Sequence, residues 1–504
     1  VYAGAYTDRF SDQIVDYTDY LFVGQYLPYY ICDYYVSYPV NGVAAGQCGA
    51  PDMFVESDTN TEVMTHELRI NTDLSDTMSL TAGAFISDLE LLEHNMFTYP
   101  GTLVSDVGWS TANYVLTDTS VFGYQALGKT KEYAGEGWNS GRGPYAPPVA
   151  FINDIKRTDK QKGVFGEVNI AMSDTVELTL GARWYDIEVD LEGSANAIAG
   201  TGFGGGDQQR FGTNLSGAFN APGEVTGNPV LDALDYPDKA VSDGVIGKAT
   251  LAWNKSEDVM YYVTWSEGFR PGLLNRPAGA VSTDGTYTIR PVTDSDEITN
   301  YEFGWKTVLR DGQLRFNGAA FFVDISGLQT SILDPAMGTN LFFSDNAADA
   351  EISGVEGDFT YYTNTDGLVV SGAFSMLDSE IKKSLTTDDV VAGMPLAFAP
   401  EMQGNIAVRK EWGMSSGNMG HIQAQVTWSD ESYSDIIEAN KGKQDSYSFM
   451  NLRAGISNDE WMAELYVDNV TDERGEISNN FVFDVERITY IRPMTVGVRF
   501  KQNF

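Results

Sequence analysis

The chain has few of the residues from which most metal sites and thiol chemistry are built. Its 504 residues include two cysteines, Cys32 and Cys48, and three histidines, His66, His94 and His421, that lie far apart in the sequence. That supply leaves little for a zinc site or a catalytic thiol. No Ser-His-Asp set and no pair of carboxylates can be assigned from spacing. We therefore expect no catalytic residue, no bound metal and no cofactor, and we do not expect an enzyme.

Long hydrophobic runs and positive charge are also scarce. No apolar run reaches the ~18 residues that a membrane helix needs, so a membrane protein with this sequence must be a β-barrel. The formal net charge is −39, from 32 basic and 71 acidic residues. This balance argues against a nucleic-acid partner, because phosphate binding requires clustered Lys and Arg. We expect the acidic residues to form a solvated surface on exposed loops; the alternative is that loop carboxylates hold divalent cations or attract a cationic ligand.

What the chain does contain is a recurring strand with two unlike faces. Between residues 243 and 329 four such strands follow one another, joined alternately by a tight turn and a long loop. In one of them the apolar residues Tyr301, Phe303 and Trp305 alternate with polar or small residues, which is the period of a strand. The turn Arg310–Gln313, with its Asp-Gly pair, predicts a hairpin.

The same hairpin unit recurs from one end of the chain to the other, with no linker and no helical periodicity. We therefore predict one all-β unit over residues 1–504, with roughly sixteen strands. Short turns alternate with much longer loops, which is typical of a transmembrane antiparallel β-barrel with short periplasmic turns and long extracellular loops. The pattern predicts a first strand at 1–10, long loops at 11–60, 89–157 and 192–242, and a last strand at about 488–504.

Several segments follow one another in a specific order and spacing: WSEGFRPGLLN (Trp265–Asn275), ITNYEFGWKT (Ile298–Thr307), DGQLRFNGAAFF (Asp311–Phe322), AEISGVEGDFTY (Ala350–Tyr361), VDNVTDERGE (Val467–Glu476) and a terminal strand ending in Phe504. Together they resemble the barrel of TonB-dependent outer-membrane receptors, over about Glu62–Phe504. The resemblance implies a barrel in the bacterial outer membrane that is filled by an N-terminal plug and opened by a TonB-type energy-transducing protein.

The resemblance also implies a function, which is active uptake of a scarce, bulky ligand of the siderophore-iron, cobalamin or glycan class. Outer-membrane transporters with ~22 strands have a plugged lumen. We therefore expect the chain to be the C-terminal part of such a barrel, with a plug and about six strands preceding Val1. Two alternatives remain open: a plugless diffusion porin, and a structural or surface-assembly protein on the same scaffold.

Two sets of residues are candidates for ligand contact. The first is the cluster of tyrosines in the first long loop: Tyr26, Tyr29, Tyr30, Tyr34, Tyr35 and Tyr38. Such residues offer large contact area at low entropy cost. The second is Arg270 and Arg276, just beyond a strand end, which would contact ligand or lipid headgroups, or only shape the base of the loop. Cys32 and Cys48 are expected to form a disulfide that stiffens the first loop; the alternative is two buried free thiols.

Strand alternation also divides residues between the lumen and the membrane. The residues predicted to face the lumen are Glu177, Arg183, Glu302, Lys306, Arg315 and Arg499. Those predicted to contact lipid are Val176, Leu178, Leu180, Phe303, Trp305, Leu314, Phe316, Val496 and Val498. The expected partners are therefore outer-membrane lipid and lipopolysaccharide, the TonB-type protein, and a small-molecule or oligomeric ligand.

Overall fold

Sixteen antiparallel strands form one sheet, as predicted. The computed structural model describes residues 1–18, 52–98, 100, 149–197, 239–275, 290, 292–333, 342–385, 390–482 and 485–502. Within them, each strand of the large sheet pairs with the sheet strands before and after it along the chain. No helix in these ranges is long and apolar enough to cross a membrane.

The strands of the large sheet, in order, are β1 (Tyr2–Asp16), β2 (Phe54–Ser75), β3 (Met78–Thr98), β4 (Val149–Ser173), β5 (Val176–Ala197), β6 (Lys239–Ser256), β7 (Val259–Arg270), β8 (Asp296–Leu309), β9 (Leu314–Leu333), β10 (Phe342–Tyr362), β11 (Leu368–Ser384), β12 (Met402–Gly413), β13 (Met419–Ser429), β16 (Tyr447–Ser457), β17 (Trp461–Asp468) and β20 (Thr495–Gln502). Two small hairpins pair β14 (Ser432–Tyr433) with β15 (Lys443–Gln444) and β18 (Glu476–Val482) with β19 (Val485–Tyr490). A 3-10 turn lies at Glu438–Asn440.

Every second connection of the large sheet is a tight turn, and the others are long. We call the end of the strands at which the tight turns lie the turn side and the opposite end the loop side. On the loop side the strands run further than predicted, so the expected loop 89–157 is shortened to the connection between Thr98 and Val149. The extensions carry polar residues on both faces, as at Glu56 and Ser57 of β2. The side-chain alternation therefore ends there, while the main-chain ladder continues.

The predicted last strand was wrong at its start. Ile488 lies in the small hairpin β18–β19, and the barrel strand β20 begins only at Thr495. Pro493 lies between the two elements. Proline has no N–H to donate to a ladder, so it favours a break between one strand and the next.

The two faces of the sheet differ as the alternation predicts. On the face that we call the apolar face, large hydrophobic side chains remain exposed, among them Phe303 and Val498, with Val498 76 % exposed. Tyr261 and Phe303 stack there with ring centroids 6.1 Å apart. The other face, which we call the polar face, carries cross-strand ion pairs such as that of Lys248 with Glu167 at 2.5 Å. A broad exposed apolar face of this kind suits contact with lipid.

The polar face is not polar along its whole length. Toward the loop side, Ile381 is fully buried and lies opposite Ala350, on the same face as Glu356. Around Ile381 packs an apolar cluster of strand ends and connecting segments: Ile332, Phe343, Ala347, Ala348, Val390, Ile436 and Ile437. The segments 390–401 and 430–446 therefore fold over this part of the polar face and cover it.

The sheet has two edges in the part of the chain that the structure describes. Strand β1 pairs only with β2, and β20 pairs only with β17. Nearly every residue of β1 is exposed. Each edge thus presents a row of main-chain N–H and C=O groups that another strand could pair with.

Candidate ligand-binding site

A buried carboxylate holds the loop-side ends of β7, β8 and β9 together. Asp296, the first residue of β8, lies opposite Arg270, the last residue of β7, and is 0 % exposed. Its Oδ2 atom accepts hydrogen bonds from Nε of Arg270 at 2.7 Å and from Nη2. The main-chain N–H of Gln329 also donates to Oδ2, at 3.3 Å, and the main-chain N–H of Arg270 donates to Oδ1, at 2.9 Å. A charge this deeply buried is tolerated only when it is paired and hydrogen-bonded in this way.

Side-chain amides connect the same strand ends where the ladder stops. The Nε2 atom of Gln329 donates to the carbonyls of Pro271 at 2.9 Å and Asp294 at 2.8 Å. The Nδ2 atom of Asn346 donates to the carbonyls of Asp294 at 2.9 Å and Gly327 at 2.7 Å. These bonds satisfy main-chain groups that have left the sheet, so the base of the connection between β7 and β8 has one fixed shape.

The residues in the resembling segment WSEGFRPGLLN account for this base. Gly272 lies so close to the main chain that a Cβ atom there would be 2.3 Å from the carbonyl oxygen of Thr293. Only glycine fits at that distance. The side-chain amide of Asn275 makes two hydrogen bonds with the main chain of Ser344. Its Oδ1 accepts from the N–H at 2.8 Å, and its Nδ2 donates to the carbonyl at 2.6 Å. Arg270 also belongs to this base, through its bonds with Asp296 and with the carbonyl of Gln329; contact of Arg270 with a ligand or with lipid headgroups stays a prediction.

A cavity of about 460 Å³ opens beside this base. It lies between the loop-side ends of β7, β9 and β10 and the segments 390–401 and 430–446. The side chains that line it include Arg270, Thr330, Ser331, Ser344, Phe398, Ser434 and Asp435. Its volume falls within the range of ~300–1,000 Å³ that is usual for ligand pockets.

The lining offers both hydrogen-bond donors and acceptors. The Arg270 side chain is 52 % exposed, and its Nη1 atom has no hydrogen-bond partner among the residues that the structure describes. Burial raises the pKa of the Asp435 carboxyl, against the opposing effect of the main-chain N–H groups of Ile437 and Ile436. Together with the hydroxyl groups of the lining, these side chains can hold a ligand through its oxygen atoms.

Most of the ligand-contacting residues predicted from sequence fall outside the described residues. These are the six tyrosines, Arg276, and the two cysteines predicted to form a disulfide, Cys32 and Cys48. Arg270, the one residue of that set that the structure describes, lies at the cavity. Sequence reasoning missed Phe398 and Asp435, which lie in connections without periodicity. In the described ranges no cluster of three or more His, Cys, Asp or Glu side chains could hold a metal ion.

The six residues predicted to face the lumen lie on the polar face, away from the cavity. Three make cross-strand contacts there: Glu302 accepts from the Tyr262 hydroxyl at 2.5 Å, Arg315 Nη2 lies 3.6 Å from Asp358, and Arg499 Nη1 lies 3.4 Å from Glu464. Glu177 and Arg183 lie on the same face of β5, and Glu302 and Lys306 lie on the same face of β8. That this face lines the lumen stays a prediction.

A second buried carboxylate lies on the polar face near the turn side. Glu464 is 6 % exposed, and its Oε2 atom lies 3.0 Å from Nε2 of His421. Its Oε1 atom lies 3.4 Å from Arg499 and 3.6 Å from Arg453. His421 reaches Glu464 across β16 because the residue between them is Gly455, where a Cβ atom would be 2.6 Å from the imidazole Cε1. We call these residues the Glu464 cluster.

The chain matches a known protein family. The family model described as "TonB dependent receptor-like, beta-barrel" matches residues 3–470, nearly the whole chain. The chain belongs to this family. It is therefore a bacterial outer-membrane β-barrel protein, with short periplasmic turns and long extracellular loops.

Solved receptor structures share the fold. The ferric yersiniabactin uptake receptor of Yersinia pestis matches with a TM-score of 0.62 at 14 % identity, covering 90 % of this chain and 55 % of that one. The siderophore receptor PiuA of Acinetobacter baumannii matches with a TM-score of 0.56 at 17 % identity, covering 90 % and 57 %. The ferripyoverdine receptor of Pseudomonas aeruginosa matches with a TM-score of 0.54 at 13 % identity, covering 91 % and 50 %. The chain thus spans about half the length of these proteins.

Proposed function

We propose that this chain is the barrel portion of a receptor that takes up a scarce, bulky ligand across the outer membrane, driven by a TonB-type energy-transducing protein. The observation that carries the proposal is the cavity at the extracellular ends of β7, β9 and β10. Its base is built by Arg270, Gly272 and Asn275, which belong to the segment that resembles the family. The similar structures are named as siderophore receptors, and the ligand classes we consider are siderophore-iron, cobalamin and glycan.

A plug and further strands are part of the proposal. The two unpaired edges, β1 and β20, support it, because a spanning barrel leaves no open edge in lipid. About six additional strands would bring the wall to the ~22 of plugged outer-membrane transporters. The energy-transducing partner would act through a coupling segment that accompanies the plug.

The first long loop would add to the binding surface. A disulfide between Cys32 and Cys48 would close a loop of ~15 residues and stabilise the folded state by about 3 kcal/mol. It would also restrict the loop that carries the six tyrosines. Mass spectrometry of the protein without reduction decides this, since a pair of thiols that both react with an alkylating reagent would rule out the bond.

Two measurements on the full-length protein test the uptake mechanism. In planar bilayers we expect low single-channel conductance, because a plug fills the lumen. In cells we expect ligand uptake to stop when the gene for the TonB-type protein is deleted. High conductance, with uptake that does not depend on the energy-transducing protein, would instead establish the diffusion porin.

A further inference from the structure

We propose that the cavity binds a hydroxyl-rich ligand with an apolar ring face, of the carbohydrate class, with Phe398 stacked on the ring and Asp435 accepting hydrogen bonds from its hydroxyls. The inference rests on the proposed uptake function and selects one of its three ligand classes. It is carried by the backbone of Phe398, by the charge balance of the cavity and by the kinds of polar group in its lining.

Phe398 is held in a conformation that a bulky residue rarely adopts. Its φ is +53°, in the left-handed region, and its main-chain N–H donates to the carbonyl of Tyr433 at 2.7 Å. The two preceding residues, Leu396 and Ala397, pack against the apolar cluster around Ile381. Phe398 does not join them: its side chain lines the cavity, and the residue is 48 % exposed. Backbone strain of this kind is concentrated at binding and catalytic sites.

The charge balance of the cavity disfavours an anionic ligand. Arg270 is the one cationic side chain among the described residues of the lining. Its charge is already compensated by the buried carboxylate of Asp296. Asp435 adds a carboxyl group to the same lining, so an anionic ferric chelate would bring negative charge beside it without a free cation to offset the repulsion.

The polar groups of the lining match a sugar instead. The Nη1 atom of Arg270, which has no hydrogen-bond partner among the described residues, can donate, the Asp435 carboxyl accepts, and the hydroxyls of Thr330, Ser331 and Ser344 can do either. An exposed aromatic ring beside such groups offers an apolar surface to the C–H face of a pyranose while its hydroxyls bond to the rim. The volume of about 460 Å³ accommodates one or two sugar rings at a time.

The test is calorimetric titration of the purified full-length protein with three probes: a set of neutral trisaccharides (maltotriose, cellotriose and chitotriose), ferric citrate, and cobalamin. We expect a trisaccharide to bind, and Phe398→Ala to weaken its affinity about tenfold. Binding of ferric citrate or cobalamin without any trisaccharide would overturn the carbohydrate assignment while leaving the uptake mechanism intact. Binding of none of the probes would also overturn it. Trisaccharide binding in a protein with porin-like conductance would remove the uptake mechanism alone.

Two further variants separate binding from folding. Phe398→Gly removes the ring but accepts positive φ without strain, so we expect an unchanged or higher Tm together with the same loss of affinity. Tyr490→Ala removes an exposed aromatic from β19, outside the cavity, and should bind as the unmodified protein does. Full affinity in Phe398→Gly, or an equal loss in Tyr490→Ala, would contradict the role of Phe398.

Discussion

Two carboxylates, Glu464 and Asp296, are buried on the polar face, and different kinds of partner compensate their negative charge. Glu464 lies where the ladder is regular, and its partners are the side chains of His421, Arg453 and Arg499 on three other strands. Asp296 lies where the ladder ends, and it accepts from two main-chain N–H groups as well as from Arg270. The first carboxylate thus joins strands that are already paired, whereas the second replaces ladder bonds that the strands no longer make.

This difference predicts that Glu464 contributes mainly to the stability of the sheet and Asp296 mainly to the shape of the cavity base. Loss of Glu464 would remove the shared partner of His421, Arg453 and Arg499 on three neighbouring strands, so its effect should spread through this part of the sheet. Loss of Asp296 would free main-chain donors at one strand junction, so its effect should stay at the base of the cavity.

The largest expected effect is that of Glu464→Ala. Its removal leaves Nε2 of the buried His421 without its hydrogen-bond partner and takes a shared carboxylate from Arg453 and Arg499, so we expect the free energy of unfolding to fall by about 3 kcal/mol. Urea unfolding followed by tryptophan fluorescence measures it. Glu411→Ala serves as the control, because its pair with Arg409 is largely exposed and should contribute less than about 1 kcal/mol. Equal losses in the two variants would show that the Glu464 cluster contributes no more to the free energy of unfolding than an ordinary surface ion pair.

Asp296→Ala should have a smaller and more local effect. Two main-chain N–H groups and the Arg270 guanidinium lose their acceptor, at a cost of about 2 kcal/mol. We expect hydrogen exchange to accelerate about tenfold in peptides that contain Arg270 and Gln329. Peptides from β13 and β16 should keep the exchange rates of the unmodified protein. Acceleration across the whole sheet would show that Asp296, too, supports the wall.

Gly455→Ala tests whether the regular ladder depends on a small residue. The new methyl group would be 2.6 Å from His421 Cε1 and 2.7 Å from the carbonyl oxygen of Ala463. We expect a loss of about 1–3 kcal/mol from this overpacking. Gly413→Ala places the same methyl group in open space and should be neutral. A neutral Gly455→Ala would mean that His421 is not held against Glu464.

The smallest expected effect is a change in pH dependence at the cavity. Because burial raises the pKa of Asp435 in the folded state, its contribution to stability is present below its ordinary pKa and is lost as pH rises through the raised value. Asp435→Asn should therefore raise Tm at neutral pH and have no such benefit in acid. A Tm difference that is constant with pH would contradict the assignment.

The turn-side half of the molecule could be predicted from sequence. There the alternation of side chains follows from a sheet with lipid on one face, so strand number, faces and turns such as Arg310–Gln313 were evident. Arg310 and Asp311 adopt positive φ at that turn, as the polar Asp-Gly sequence allows.

The loop-side half could not be predicted in the same way. Its strands have polar residues on both faces, and its cavity brings Arg270, at the end of β7, together with Phe398 and Asp435 from connections that have no periodicity. One signal was available: an acidic residue, Asp296, begins the strand that follows the long connection after Arg270. Register would have placed the two opposite each other, but only the folded loops show that the pair borders a cavity.

The strands of the large sheet differ in length, so the loop-side end of the sheet is uneven. At ~3.3 Å per residue, the 25 residues of β4 extend to about 80 Å along the strand, whereas the 11 residues of β13 reach about 36 Å. Because tight turns join the strands on the turn side, the additional length of β2 to β5 lies on the loop side, where the sheet extends further over these strands than over β12 to β16.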